Sequence, residues 1–125
     1  LAWRLSIQTI LCLSALFPSL LIFLEASMPK LRQISILLTA YLVRLLTIRL
    51  GNRLNIISPK YINQRGAQLS LLFNQDAAQL ADRLQAQGVI CDFRRPNVLR
   101  IAPAPLYNSF KDVFHFVSIL ERVLQ

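Results

Sequence analysis

The chain has 125 residues, of which 54% are hydrophobic and 16% charged, so it can form one domain with a sizeable core and is not disordered. Its net charge of +8 comes from eleven arginines and three lysines against six acidic residues. The arginines are scattered and form no basic stripe interleaved with aromatic residues, which argues against a nucleic-acid-binding surface. Two distant cysteines, Cys12 and Cys91, and a single histidine argue against a disulfide framework and against a metal site.

The first predicted element is an uncharged run, LSIQTILCLSALFPSLLIFL, from Leu5 to Leu24. Its length would be sufficient to cross a membrane. The polar residues inside it, and the lack of a small-residue cleavage site before Glu25, favour instead a helix buried on most sides in a larger protein, with a kink at Pro18. Residues 1–25 are therefore expected to belong to a body other than the domain that follows.

A long amphipathic helix is predicted next, in SMPKLRQISILLTAYLVRLLTIRLGN. Ser27 is a typical N-cap, Pro29 suits the first turn, and Gly51 just after Arg49 indicates the C-terminus. Apolar residues spaced by three and four define the face that is expected to be buried, namely Leu31, Ile34, Leu38, Tyr41, Leu42 and Leu45.

Beyond this helix, short segments rich in β-forming or alternating residues predict four strands. They are Leu54–Pro59, Ala67–Phe73, Val89–Phe93 and Val98–Ala102. The sequence RRPN is the predicted turn of a hairpin between the last two strands. A short amphipathic helix, closed by Gly88, lies between the second and third strands.

The last predicted helix begins at Ser109, and Asp112 three residues later completes a capping-box pattern. Its expected buried face consists of Phe110, Val113, Phe114, Val117, Leu120 and Leu124. The single histidine, His115, is expected on the solvent-exposed side. The order of elements predicts an α+β domain over residues 26–125, in which helices cover one face of a small, mostly antiparallel sheet.

The sequence contains no complete set of catalytic residues. Its three glycines do not form a phosphate-binding loop, and one histidine on a polar helix face does not make a nucleophile–base pair. The three lysines, Lys30, Lys60 and Lys111, lie at helix starts or in a loop, where nothing would lower an amine pKa for covalent chemistry.

Arg100 is the exception, because the alternation places it in an apolar strand beside Val98 and Ala102. An arginine in such a place either forms an internal ion pair, with Asp92 across the hairpin as the candidate, or binds an anionic ligand such as a carboxylate. The strand pattern by itself favours the ion pair.

Three segments resemble kynureninases. GVICDFRRPNVLRIAPAPLYNSFKDV resembles the C-terminal end of that family, as does RGAQLSLLF, and PSLLIFLEASMPKLRQISILLTAYL is similar to the long helix that enters its small domain. The resemblance runs from about Trp3 to Leu124. It implies the C-terminal small domain of a pyridoxal-phosphate-dependent, homodimeric enzyme with the aspartate-aminotransferase fold (fold type I), with residues 1–25 as the connecting segment.

Kynureninases hydrolyse L-kynurenine or 3-hydroxykynurenine to the corresponding anthranilate and L-alanine, in tryptophan catabolism and NAD biosynthesis. The resemblance implies this reaction for the complete enzyme, in the cytoplasm. The lysine that binds the cofactor belongs to a large domain outside this chain, so the chain alone is expected to be inactive. Two alternatives are a non-catalytic remnant or dimerisation module and, less favoured, a basic membrane-associated protein.

Two residues are expected to contact substrate. In the family pattern R-x-A-P-x-P-L-Y-N-S-F the arginine holds the α-carboxylate of the substrate, and Arg100 occupies that position. Ser6 matches the serine of a family Ser-Asn-Pro-Pro segment and would line the substrate side. Ile7 replaces the asparagine that contacts substrate and cofactor, and isoleucine cannot donate those hydrogen bonds. The resemblance therefore implies no catalytic residue and no matching cofactor-binding residue in this chain.

Overall fold

The computed structural model describes residues 10–125, apart from the side chain of Cys12. Its helices and strands are α1 (Ile10–Ala26), α2 (Met28–Leu50), β1 (Leu54–Ile56), β2 (Leu69–Phe73), α3 (Ala77–Ala86), β3 (Asp92–Arg94), β4 (Val98–Ile101) and α4 (Phe110–Val123). Single turns of 3-10 helix occur at Gly51–Arg53 and Ile62–Gln64. The α+β class and the predicted order of elements are confirmed.

The four strands form one sheet in the order β1-β2-β4-β3, and every neighbouring pair is antiparallel. Side chains alternate between the two faces of a strand, so one face of the sheet carries Leu69, Leu71 and Phe73 of β2 with Leu99 of β4, all fully or nearly fully buried. Helices α2, α3 and α4 supply the remaining core residues against this face. The opposite face of these two strands carries Ser70 and Leu72 of β2 with Val98 and Arg100 of β4, all only partly buried.

The stripe of α2 that packs on the core differs from the predicted one. Leu38, Leu42 and Leu46 are buried, whereas Ile34, which was expected in the core, is 41% exposed. Ser35 and Thr39 are buried instead, and the Thr39 hydroxyl is satisfied within the helix, because its Oγ1 donates to the Ser35 carbonyl at 2.8 Å. By length and hydropathy alone Met28–Arg53 could cross a membrane, but this buried stripe is typical of the core helix of a folded domain.

Helix α1 is apolar on all sides, and within the described residues it packs chiefly against α2. The helix continues through Pro18, and Leu11 and Leu24 are 84% and 76% exposed. The prediction of a helix is confirmed from Ile10 onward, but its contact with α2 leaves most of its apolar side chains exposed among residues 10–125. Its burial by another body, and the division of the chain into residues 1–25 and 26–125, stay predictions.

Helix α4 begins as predicted, but its buried face is narrower. Val113, Val117 and Leu120 are buried, whereas the expectation that Phe110 and Phe114 are core residues is wrong, since they are 48% and 45% exposed. The two rings lie at the seam with α2. The Phe110 ring packs edge-on against Tyr41 at 5.5 Å between centroids, and the Arg49 guanidinium lies 5.3 Å from the centre of the Phe114 ring.

The start of α4 is fixed by a reciprocal capping box. The Ser109 hydroxyl oxygen accepts a hydrogen bond from the Asp112 backbone N–H at 3.3 Å, and Asp112 Oδ2 accepts one from the Ser109 backbone N–H at 2.7 Å. The hydrogen bonds from the Ser109 backbone and hydroxyl hold the pKa of the Asp112 carboxyl below its usual value. The box satisfies two backbone groups that would otherwise lack partners at the helix start.

Replacing Ser109 with alanine is expected to lower the free energy of unfolding by about 1 kcal/mol at neutral pH, because α4 loses its cap. Because the folded pKa of Asp112 is lowered, its contribution is present above the ordinary carboxyl pKa and is lost as the pH falls through the folded pKa. The difference between the two proteins should therefore shrink in acid. Urea unfolding followed by circular dichroism measures it, with Lys60→Ala as an exposed control away from Asp112. Equal stability of the Ser109 variant at neutral pH would contradict the expectation.

Candidate functional site

The candidate site is built on the β3–β4 hairpin. Its register pairs Asp92 with Arg100 and Arg94 with Val98, across the turn formed by residues 95–97. The neighbours of Arg100 on β4, Leu99 and Ile101, are buried in the core, so alternation directs the Arg100 side chain to the opposite face of the sheet. The strand thereby presents one cation on an otherwise apolar segment.

Arg100 forms the ion pair that the hairpin register permits. Its Nε donates to Asp92 Oδ2 at 2.5 Å, and its Nη2 donates to the same oxygen. Arg94 Nε donates to that oxygen as well, at 3.0 Å. The Arg100 hydrogen bonds, with help from Arg94, hold the pKa of the Asp92 carboxyl below its usual value, so Asp92 is charged at neutral pH.

The ion pair uses only one edge of the Arg100 guanidinium. Nε and Nη2 form the side-on edge, and both donate to Asp92. The end-on edge, formed by Nη1 and the second hydrogen of Nη2, makes no hydrogen bond with any residue from 10 to 125, and the side chain is 33% exposed. A guanidinium has five N–H donors in a planar fork, so a second carboxylate can bind in bidentate fashion while the first remains in place. The two interpretations of Arg100 are therefore compatible.

Arg100 lines a cleft of about 680 Å³ between the hairpin, the loop after β4, and α4. Cys91, Asn108 and His115 also line it, and His115 is exposed, as predicted for its solvent side. Burial, with a smaller effect of the neighbouring Asp92 charge, raises the pKa of the Cys91 thiol. Cys91 therefore stays protonated at neutral pH and is not set up as a nucleophile.

The wall of the cleft beyond β4 is a proline-rich loop that Asn108 closes. Asn108 Oδ1 accepts a hydrogen bond from the Ala104 backbone N–H at 2.8 Å, and the Asn108 backbone N–H donates to the Ala104 carbonyl at 2.8 Å. Pro103 lies on the cleft side of this loop. The sequence-based reasoning missed Asn108, although an asparagine a few residues after two prolines is a recognisable turn signal.

The other predicted site residues are not brought to this cleft. Ser6 and Ile7 lie outside the described residues, so Ser6 as a substrate contact and Ile7 as the substituted cofactor contact stay predictions. Lys30, Lys60 and Lys111 are all exposed, and none lines the cleft. Among residues 10–125, excluding the Cys12 side chain, no cluster of His, Cys, Asp and Glu could hold a metal ion.

Comparison with known sequences places most of the chain in one family. Residues 31–120 match the family described as the kynureninase C-terminal domain. The kynureninase of Myxococcus xanthus is 49% identical over 119 residues, which cover 95% of this chain and 28% of that protein. The human kynureninase is 40% identical over 130 residues, covering 98% of this chain and 28% of its own length. The chain thus spans little more than a quarter of the curated relatives that it matches.

Among solved structures, the acetylornithine aminotransferase of Elizabethkingia anophelis is similar, with a TM-score of 0.57 and 16% sequence identity. The match covers 82% of this chain and 26% of that one. At this level of identity the likeness concerns the fold. It agrees with the predicted small domain of an aminotransferase-like enzyme.

Proposed function

The chain belongs to the kynureninase family, of which it carries the C-terminal domain. On that premise we propose that it supplies the arginine that binds the substrate's α-carboxylate in a kynurenine-hydrolysing enzyme. The complete enzyme would cleave L-kynurenine or 3-hydroxykynurenine to the corresponding anthranilate and L-alanine, in tryptophan catabolism and NAD biosynthesis. We propose further that it acts as a cytoplasmic homodimer on this small-molecule substrate, without nucleic acid or membrane as a partner.

The proposal rests on the position of Arg100 and on the hydrogen-bond donors that it leaves available. It occupies the arginine position of R-x-A-P-x-P-L-Y-N-S-F, it lines the cleft, and its end-on edge has no partner among residues 10–125. A bidentate pair between this edge and the α-carboxylate would fix both the position and the plane of the amino acid. The role is positioning: the rotational freedom that the substrate loses on binding no longer has to be lost in the chemical step.

Pyridoxal phosphate is the cofactor that we propose for the complete enzyme. Residues 10–125 do not by themselves fit it, because their lysines are exposed, away from the cleft, and Arg100 has no phosphate-binding loop beside it. The cofactor would therefore be held by the part of the enzyme outside this chain, and Ser6 would contact the substrate from the connecting segment. The contribution proposed for this chain is restricted to the substrate.

A non-catalytic dimerisation module is the second candidate. Ile7 favours it, because a hydrocarbon side chain stands where the family pattern has an amide that can donate hydrogen bonds. The exposed apolar surface of α1 suits packing against another protein surface in either case, so it does not discriminate between the two functions.

A chimera tests the proposal directly. The matching quarter of the Myxococcus xanthus kynureninase is replaced by this chain, and hydrolysis of L-kynurenine is followed by the release of anthranilate. We expect activity from the chimera, higher activity after Ile7→Asn, and none from the 125-residue chain alone. The isolated chain should also retain no cofactor on a lysine after borohydride reduction. A folded, dimeric chimera that hydrolyses nothing, with or without Ile7→Asn, would establish the non-catalytic module instead.

A further inference from the structure

Asp92 is placed to control how Arg100 presents its donors. Both Nε and Nη2 of Arg100 donate to one oxygen of Asp92, Oδ2, so the contact runs along the side-on edge of the guanidinium. The two residues are also direct cross-strand partners in the β3–β4 register. A flexible arginine side chain is thereby tied at its head group as well as at its backbone.

We propose that Asp92 is a positioning residue, which holds the guanidinium plane of Arg100 so that the end-on edge faces the cleft and receives the substrate carboxylate. This inference rests on the proposed function of Arg100 and adds a residue to it. Asp92 also lines the cleft, but its role in this arrangement is to accept hydrogen bonds from Arg100 and Arg94 and not to bind the substrate.

The charge of Asp92 does not cancel the attraction for an anion, because a second arginine shares it. Arg94 Nε donates to the same Oδ2 at 3.0 Å, so the cluster contains two guanidinium groups and one carboxylate, with a net charge of +1. An incoming carboxylate therefore meets a positive cluster. The side chain of Arg94 is 60% exposed, against 33% for that of Arg100. This exposure fits Arg94 as a charge that compensates Asp92 better than as a residue that contacts the ligand.

The opposite role for Asp92 would be that of a competitor that occupies Arg100 until substrate displaces it. A competitor should engage the donors that the substrate needs. Asp92 instead takes hydrogen bonds from Nε and from one hydrogen of Nη2, and it leaves Nη1 without a hydrogen bond to residues 10–125 and the second hydrogen of Nη2 available. The geometry therefore favours Asp92 as a support that orients Arg100, and not as a competitor that occupies the donors needed by the substrate.

The two roles predict opposite changes in affinity. An arginine without its support must lose its rotamer freedom when the ligand binds, whereas a supported one has already lost it. Removal of a support therefore weakens the binding of a carboxylate ligand. Removal of a competitor strengthens it.

The experiment measures equilibrium binding to the chimera, which requires no turnover. The probes are L-kynurenine in which a methylene replaces the ketone, so that it cannot be hydrolysed, and the same molecule without its carboxylate. Titration calorimetry gives both dissociation constants for the parent chimera and for Asp92→Ala, Asp92→Asn, Arg95→Gln and Arg100→Ala. Arg95 is an exposed arginine of the hairpin turn, so Arg95→Gln controls for the loss of a nearby charge.

We expect Asp92→Ala to weaken the carboxylate-bearing probe about tenfold, an effect of the size that arginine rotamer freedom allows, and to leave the other probe unchanged. Asp92→Asn keeps an acceptor oxygen and should fall between Asp92→Ala and the parent. Arg95→Gln should change neither constant appreciably. Tighter binding of the carboxylate probe by Asp92→Ala would overturn the inference, as would equal weakening of both probes, which indicates a merely structural role.

Failure of the inference is distinguishable from failure of the proposed function. If Arg100→Ala binds both probes as the parent does, Arg100 is not the carboxylate anchor, and the proposed function is overturned together with the inference. If Arg100→Ala selectively loses the carboxylate probe while Asp92→Ala does not, only the role assigned to Asp92 is wrong.

Discussion

Substitution of Arg100 by alanine is expected to lower kcat/KM of the chimera for L-kynurenine, because the binding of the transition state weakens by about 2–5 kcal/mol. A loss of this size is usual when one partner of a desolvated charge pair is removed. Since about 1.4 kcal/mol corresponds to a factor of ten, the expected loss is roughly thirtyfold to several thousandfold. The physical reason is that the α-carboxylate would enter the cleft without a charge partner, and nothing else would fix its plane. Steady-state kinetics on the parent and the variant measure the effect.

Two further variants test whether the loss comes from the planar pair of N–H donors of Arg100 and not only from its positive charge. Arg100→Lys keeps the charge but not the planar pair of donors, so it should recover only part of the loss. Arg95→Gln removes a positive charge from the same hairpin without touching the Asp92–Arg100 pair, and it should behave like the parent. Unchanged catalytic efficiency in Arg100→Ala would reduce Arg100 to a structural ion-pair partner of Asp92.

Substitution of Phe73 by alanine is expected to lower the free energy of unfolding by about 3–5 kcal/mol, because a large side chain leaves a cavity in a packed core. Phe73 is 2% exposed at the end of β2, where it pairs with Leu54 of β1 and belongs to the core formed by the sheet and the three covering helices. Urea unfolding of the 125-residue chain, monitored by circular dichroism, gives the difference.

Phe114→Ala is the matched control for Phe73→Ala, since it removes the same atoms from a ring that is 45% exposed. Its main specific contact is the Arg49 guanidinium, and an exposed cation–π pair is worth about 0.5–1 kcal/mol. The Phe114 variant should therefore lose much less stability than the Phe73 variant. Similar losses in the two variants would mean that the division between core and surface described for these rings is wrong.

The hairpin was the part of the site that the sequence could predict. RRPN between two apolar segments indicates the turn and makes Asp92 a candidate partner of Arg100, but a four-residue turn over residues 94–97 would place Asp92 opposite Leu99. In the structure Arg94 belongs to β3, so the turn is residues 95–97 and Asp92 pairs with Arg100. The sequence could not predict which edge of the guanidinium Asp92 uses, nor that Arg94 shares the same oxygen, because both depend on side-chain rotamers. That detail is what makes an ion pair and a ligand contact compatible.

The sequence identified the apolar side of each helix, but not how many residues of that side are buried in the core. A three–four spacing identifies the apolar side of α4, yet the position of α2 decides that Val113 is buried while Phe114 lies at an exposed seam. On α2, Thr39 can be buried because its hydroxyl donates a hydrogen bond to the Ser35 carbonyl of the same helix. A pattern of hydrophobic residues alone does not predict such a buried polar residue. The strands are shorter than predicted, since β-forming composition continues beyond the residues that have a pairing partner.

The antiparallel pairing of β3 and β4 also limits which changes in chain length this site can tolerate. Because side chains alternate along a strand, inserting or deleting one residue within β4 before Arg100 would exchange the faces of Leu99 and Arg100. The turn before β4 is held from its other side, where the Asn97 carbonyl accepts a hydrogen bond from the Phe73 backbone N–H at 3.0 Å, so it has little room to absorb an extra residue. Natural variants of this domain should therefore vary the composition of residues 95–97 far more readily than their number.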